Sequence, residues 1–272
     1  MLSPSGESHP IMKAIGIIPS RFGSQRLPAK ALADIGGEPM VWRVYERACQ
    51  AQTLDRVIVA TDDERIRDAV QSRGGEAVLT NPRHPSGTDR IAEVATGLDC
   101  DVIVNIQGDE PLMRPDIIDL LVGPFEAPEM RMATVATPIR TAEEWHDPAV
   151  VSVVLDERGF ALYFSRSPLP YFRLDTPGPT PDNVFSDART RLTALKHLGL
   201  YAYRRDTLLW LSRLQPTALE RAERLEQLRA LGHSCPIRVL VVDEASPGVD
   251  TPEDLEHVRR LYAQGQLEEG SL

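Results

Sequence analysis

The sequence predicts an α/β chain built on a doubly wound, mostly parallel sheet, with a mixed or antiparallel extension in its C-terminal half. Three observations carry this reading. Short apolar runs alternate with helical patterns through the first half of the chain. The run Asp101-Val102-Ile103-Val104-Asn105-Ile106 is almost continuously apolar, as a strand covered on both faces requires. After residue 130, strand signals follow one another without long helices between them.

The elements follow in order. Residues 14–18 read as the first strand, and Pro39, a good first helical residue, opens a helix to about residue 50. Residues 56–60 form a second strand, and a helix begins near Asp63 and stops at Gly74-Gly75. A short strand over 76–79 and a helix over 88–97 lead to the strand at 101–106 and a helix over 115–125. This order of strand and helix gives the parallel, Rossmann-like part of the sheet. The segments 132–137, 150–155, 160–164 and 198–203 then read as strands that extend it. Residues 171–189, rich in proline, read as a long mobile loop. Thr217-Ala218-Leu219-Glu220 has the form of a capping box, and Leu219, Ala222, Leu225 and Leu228 give its helix an apolar stripe. A last strand over 237–242 precedes a final helix capped by Thr251-Pro252-Glu253-Asp254. Neither an internal repeat nor a clear linker divides the chain. The reading is therefore an N-terminal tail (1–13), one domain (14–264) with a substrate and dimerisation region at about 130–235, and a C-terminal tail (265–272).

With 272 residues, 42% of them hydrophobic, the chain can bury a sizeable core. Its 30 Lys and Arg against 40 Asp and Glu give a net charge of −10, which disfavours a general affinity for nucleic acid or anionic membrane. No apolar run approaches the ~18 residues of a spanning helix, and residues 1–13 lack a signal-peptide core. Cys49, Cys100 and Cys235 are odd in number and widely spaced, which fits reduced thiols in the cytoplasm.

Against this acidic background the loop after the first strand, Ser20-Arg21-Phe22-Gly23-Ser24-Gln25-Arg26-Leu27-Pro28-Ala29-Lys30, gathers cations. Backbone amides and fixed cations at the carboxyl end of a parallel strand suit a nucleoside triphosphate. Neither Gly-x-Gly-x-x-Gly nor a Walker lysine followed by Ser or Thr is present, since Ala31 follows Lys30. Gln107-Gly108-Asp109-Glu110-Pro111 follows another strand at the same mouth, where Asp109 would hold Mg²⁺ beside phosphates. Asp250 lies at a third strand-to-helix connection; it can complete that metal site or simply precede the helix cap. His84-Pro85-Ser86-Gly87-Thr88-Asp89-Arg90 can cap a helix through Ser86 and Asp89, read a pyrimidine edge, or both. Arg166, His197, Tyr201, Glu226 and Gln227 are scattered polar groups that the residues alone do not assemble into a site.

These motifs together closely resemble the 3-deoxy-manno-octulosonate (Kdo) cytidylyltransferase family. The matching segments include Ile17 to Lys30, Ile58-Val59-Ala60-Thr61-Asp62, Ser86 to Arg90, Val104 to Pro111, Ala161 to Arg166, His197 to Tyr201, Leu225 to Arg229 and Gly248 to Leu255. The resemblance implies a nucleotidyltransferase fold and transfer of CMP from CTP to the anomeric hydroxyl of Kdo. It also implies a Mg²⁺ cofactor, a cytoplasmic homodimer and a role in lipopolysaccharide biosynthesis. Carried over by position, Arg21 and Lys30 contact the triphosphate with Arg26 and Ser20 beside them. Ser86, Gly87 and Thr88 lie by cytosine. Asp109 and Asp250 hold metal, and Arg21, Lys30, Asp109 and Asp250 are the catalytic set. Gln107 serves nucleotide and sugar, and Arg166, His197, Tyr201, Glu226 and Gln227 bind the sugar acid.

Three positions depart from the family pattern. Ala29 stands where Gly is usual, Ser152 replaces a common Lys, and the loop over 171–193 is longer. Other acceptors compatible with the chemistry are an 8-amino Kdo analogue and a sialic acid, although the run Arg26-Leu27-Pro28-Ala29-Lys30 is unlike sialate enzymes. A non-catalytic nucleotide-binding module is the alternative from another class, and it leaves the paired aspartates unexplained.

Overall fold

Alternation along the first strands decides the architecture. In the computed structural model, which describes residues 12–23, 27–172, 193–244 and 246–264, β1 (Ala14–Ser20) turns Ile15 and Ile17 to one side and Ala14 and Ile18 to the other. The strands β4 (Arg56–Thr61) and β6 (Val102–Asn105) divide in the same way, Val57, Val59, Val102 and Val104 facing one core and Ile58 and Ile103 the other. Both faces are buried, so the strands are apolar throughout rather than alternating with polar residues.

Helices cover both faces. α1 (Met40–Ala48), α2 (Glu64–Gln71) and α4 (Pro115–Val122) supply Val41, Val44, Ile66, Ile118 and Leu121 to one core. α3 (Gly87–Thr96), α6 (Arg205–Leu211) and α8 (Gln227–Gly232) supply Ile91, Ala95, Leu208, Leu211 and Leu228 to the other. A short helix α5 (Ala142–His146) lies between β7 (Met132–Pro138) and β8 (Ser152–Leu155).

The main path of the sheet runs β11-β7-β10-β6-β1-β4-β5. Here β5 is Ala77–Leu79, β10 is Leu195–Arg204 and β11 is Ile237–Val241. The pairs β1–β4, β1–β6, β4–β5 and β7–β11 are parallel, and β10 lies antiparallel between β6 and β7. Strands β8 and β9 (Ala161–Ser165) form an antiparallel pair that leaves this path through β10. The mostly parallel sheet with antiparallel additions is thus the predicted one. Because β11 joins it, the connection after β11 reaches the same edge as the connections after β1 and β6.

Local differences have local causes. The expected helix over 115–125 closes at Val122 and continues as a 3-10 turn, Gly123–Glu126, where Pro124 cannot donate to the α pattern. The single helix expected after Thr217 is two: α7 (Ala218–Glu223), with the capping box formed, and α8. Arg224 breaks them with φ at 54°, in the left-handed region. Leu225 and Leu228 are buried as the stripe requires, but Leu219 is 51% exposed, since the break turns it away from the core. A small hairpin, β2 (Asp34–Ile35) and β3 (Glu38–Pro39), went unread between the first loop and α1. Its Gly36 and Gly37 both have positive φ. The final helix α9 (Pro252–Ala263) packs Leu255 and Val258 with Ile35, Met40 and Val249, fixing the chain just before Asp250. Arg26 and most of the long loop, residues 173–192, lie outside the described residues.

Candidate active site

Three connections at the carboxyl edge of the sheet converge. Gly108 makes one approach possible, because a Cβ there would stand 3.0 Å from the Pro19 carbonyl oxygen at the end of β1. The Val249 amide donates to the Asp109 carbonyl at 2.8 Å, drawing the third connection in. Asp250 is then set by the cap of α9, its own amide donating to Asp254 Oδ2 at 3.0 Å.

Lys30 closes the arrangement. Its Nζ donates to Asp109 Oδ2 at 2.7 Å, to Asp250 Oδ1 at 3.0 Å and to the Val249 carbonyl at 2.6 Å. The lysine side chain is 16% exposed, while those of Asp109 and Asp250 remain 32% and 49% exposed. Two carboxylates brought this close repel unless a cation neutralises them, and the ammonium supplies that charge. Both acids therefore bond to one lysine. Beside them, burial and the neighbouring Asp109 carboxylate push Glu110 up to about 8.

The group forms the floor of an open cavity of about 570 Å³, a size that suits a nucleotide. Ser20, Arg21, Lys30, Ser86, Gly87, Gln107, Asp109 and Asp250 all line it, so the structure unites most of the nucleotide set. Ser86 caps α3, its side chain accepting from the Asp89 amide at 3.1 Å. Capping and exposure to the cavity coexist, as the sequence left open. The two half-exposed carboxylates, beside room for phosphates and water, could hold a hard divalent cation. Among the described residues no group of three or more His, Cys, Asp or Glu makes a denser metal cage.

The sugar set divides. Glu226 joins the nucleotide wall: its Oε2 accepts from Thr88 Oγ1 at 3.0 Å and its Oε1 lies 3.3 Å from Ser86 Oγ. Burial raises its pKa above the usual carboxylate range, against the lowering effect of the Thr88 hydroxyl. Thr88, Tyr201, Glu226 and Gln227 share a niche of about 40 Å³ behind the main cavity. That is room for a water or one substituent rather than a whole sugar. Gln107 lines the main cavity, and its Nε2 donates to the Gly199 carbonyl at 2.5 Å.

His197 and Arg166 line neither cavity. The His197 ring packs against Phe164 and Tyr201, its Nε2 is 3.0 Å from Thr134 Oγ1, and burial pushes its pKa down to about 3. Arg166 donates through Nε to the Glu223 carbonyl at 3.1 Å and through Nη1 to the Pro148 carbonyl at 3.2 Å.

His84, Pro85 and Arg90 also line the cavity; they belong to the 84–90 motif, of which only Ser86, Gly87 and Thr88 were expected at the nucleotide, and Glu223 as the organiser of Arg166 carried no sequence signal. Arg90 sat inside a quoted motif, but nothing in its helical position distinguished a buried arginine from a solvated one.

Residues 15–237 match the family model described as cytidylyltransferase. A 3-deoxy-manno-octulosonate cytidylyltransferase of Geobacter sulfurreducens is 52% identical over 91% of this chain and 98% of its own length. That of Geobacter metallireducens is 51% identical over 94% of this chain and 100% of its own. A solved CMP:2-keto-3-deoxy-manno-octonic acid synthetase in complex with CTP superposes with a TM-score of 0.84 at 45% identity, covering 93% of this chain and 99% of the other. A 4-diphosphocytidyl-2C-methyl-D-erythritol synthase from Anaerococcus prevotii, 11% identical with a TM-score of 0.60 and covering 93% of this chain and 99% of its own, shares the fold alone.

Proposed function

The chain belongs to the 3-deoxy-manno-octulosonate cytidylyltransferases of the cytidylyltransferase family, and from that premise we propose that it transfers CMP from CTP to the anomeric hydroxyl of Kdo, releasing pyrophosphate. The observation that carries this reading is the convergence of Lys30, Asp109 and Asp250 at the floor of the cavity that Arg21 and Ser86 also line.

The sugar hydroxyl attacks the α-phosphorus of CTP in line; a new P–O bond forms as the bond to the β-phosphate oxygen breaks, and the hydroxyl proton passes to solvent. Arg21 and Lys30 meet the negative charge that grows on the phosphate oxygens. Arg26 assists from the same loop. Gly87 and the capped start of α3 offer short side chains and backbone amides to the cytosine edge, with Thr88 just behind. Gln107 spans the nucleotide and the acceptor. Glu226, Gln227 and Tyr201 take hydroxyl groups of the sugar acid; His197, buried against Phe164, supports Tyr201 from outside the cavity, and Arg166 must leave the Glu223 and Pro148 carbonyls to reach a sugar carboxylate. An arginine matches the two oxygens of a sugar carboxylate.

Asp109 and Asp250 fit Mg²⁺, which binds through one or two carboxylates together with phosphate oxygens and water. When bound, the ion supplies positive charge to the transferring phosphoryl group and acidifies a ligated hydroxyl. Lys30 bonds to both carboxylates, and its flexible stem would let the ammonium turn toward phosphate oxygens.

In this reading the product is an activated sugar for lipopolysaccharide, made in the cytoplasm by a homodimer. Among the described residues no helix is long and apolar enough to cross a membrane. The test is pyrophosphate release with Mg²⁺ and CTP across Kdo, its 8-amino analogue and N-acetylneuraminate. The reading expects release with Kdo and little with sialate. Release with sialate alone would change the acceptor, and CTP binding without any release would make the chain a nucleotide-binding module.

A further inference from the structure

In the cavity wall lies an ion pair, Arg90 with Asp62, that the transfer chemistry does not use directly. The Arg90 side chain is 4% exposed, and its Nη2 donates to Asp62 Oδ2 at 2.9 Å. Its Nη1 donates to Thr80 Oγ1, and Thr80 in turn donates through Oγ1 and N to the Thr61 carbonyl at 2.9 and 2.8 Å. The other oxygen of Asp62, Oδ1, accepts from the Phe22 amide at 3.1 Å. Phe22 immediately follows Arg21, and its ring lies under the guanidinium of Arg65, 3.5 Å from carbon to centroid.

One carboxylate therefore ties two parts of the cavity together. Arg90 is on α3, the helix whose start carries Ser86 and Gly87; Phe22 is in the loop that carries Arg21. A planar guanidinium that bridges Thr80 and Asp62 fixes the carboxylate's direction, and the carboxylate fixes the loop amide. A buried charge is retained at such a position only with its partner in place, since an unpaired one carries a large desolvation penalty.

We propose that Asp62 and Arg90 are positioning residues that hold the Arg21 loop at the correct distance from the base-binding start of α3, so that both ends of one CTP molecule are engaged together. The proposal rests on the reading of Arg21 as a triphosphate contact. Arg21 is the group through which the brace acts; neither Asp62 nor Arg90 needs to touch the nucleotide.

The experiment is a double-mutant cycle read by calorimetric binding of CTP without acceptor, with thermal melting alongside. The variants are Arg21→Ala, Asp62→Ala and the double variant. Each single change should weaken CTP binding on the order of tenfold, and the double should be no weaker than Arg21→Ala, because the brace has nothing left to position. KM for Kdo should stay near the parent value. If Asp62→Ala does not fold, Arg90→Lys replaces it, a smaller change that keeps the charge but loses the two-sided bridge and should show the same non-additivity. Fully multiplicative losses, or a lowered melting temperature with CTP affinity intact, would overturn the brace. An Arg21→Ala variant with undiminished CTP affinity would overturn the phosphate role of Arg21, and the proposal with it.

Discussion

Lys30 Nζ lies 2.7 Å from Asp109 Oδ2 although 79 positions separate the two in the chain. The contact joins the loop after the first strand of the sheet to the loop after its neighbour, and Asp250 joins from a third connection. The ammonium of Lys30 thereby offsets the charge of both carboxylates at the wall of the cavity.

Asp109→Asn removes one negative charge and keeps the shape. Turnover should fall on the order of 10²-fold or more, as losses of charge-stabilising groups do. Pyrophosphate release at saturating CTP, Kdo and Mg²⁺ measures it, and a near-parental rate would take Asp109 out of the reaction.

Ala29 has φ at 54° and ψ at 29°, a left-handed conformation, directly before Lys30. An L-residue there costs roughly 1–2 kcal/mol, and glycine restores part of that while adding ~0.5–1 kcal/mol of unfolded-state entropy. Ala29→Gly should therefore stabilise the protein by up to ~1 kcal/mol. A urea midpoint that moves down instead would show that the loop is not strained.

Glu226 accepts from Thr88 and stands beside Ser86, where the nucleotide wall meets the sugar niche. Glu226→Gln weakens a charged acceptor, and hydrogen bonds to charged groups are worth about 1.5–3 kcal/mol. KM for Kdo should rise about tenfold or more, with KM for CTP changing less. Equal rises in both would place Glu226 in the framework of the wall rather than against the sugar.

His197 stays neutral in the fold down to about pH 3, whereas its ordinary pKa is 6.5. Between those values the unfolded chain binds the extra proton, so the stability that His197 contributes falls as pH drops through 6.5 toward 3. A His197→Asn variant should lose less stability than the parent between about pH 7 and about pH 5. Parallel denaturation profiles would mean the ring titrates normally.

Much of this site was legible in the chain because it follows strand ends. Apolar runs marked β1 and β6, and the residues just after them, Arg21, Lys30, Gln107 and Asp109, fell to the sheet edge by topology. Asp250 was ambiguous, because its pairing depends on β11 joining β7 in the same sheet, a contact between distant segments. Arg90 and Asp62 were not legible as a pair, since helix periodicity does not reveal which polar residue of α3 is buried against a strand-end carboxylate. The break at Arg224 was hidden for a similar reason: the apolar stripe continues across it, and only packing turns Leu219 outward.

Mn²⁺ binding in the presence of CTP, followed by electron paramagnetic resonance in the parent, Asp109→Asn and Asp250→Asn proteins, tests the paired carboxylates most directly. The account predicts that each substitution weakens bound Mn²⁺ about tenfold or more, since even outer partners of metal ligands are worth ~10–100-fold. Parental affinity in both variants would contradict it.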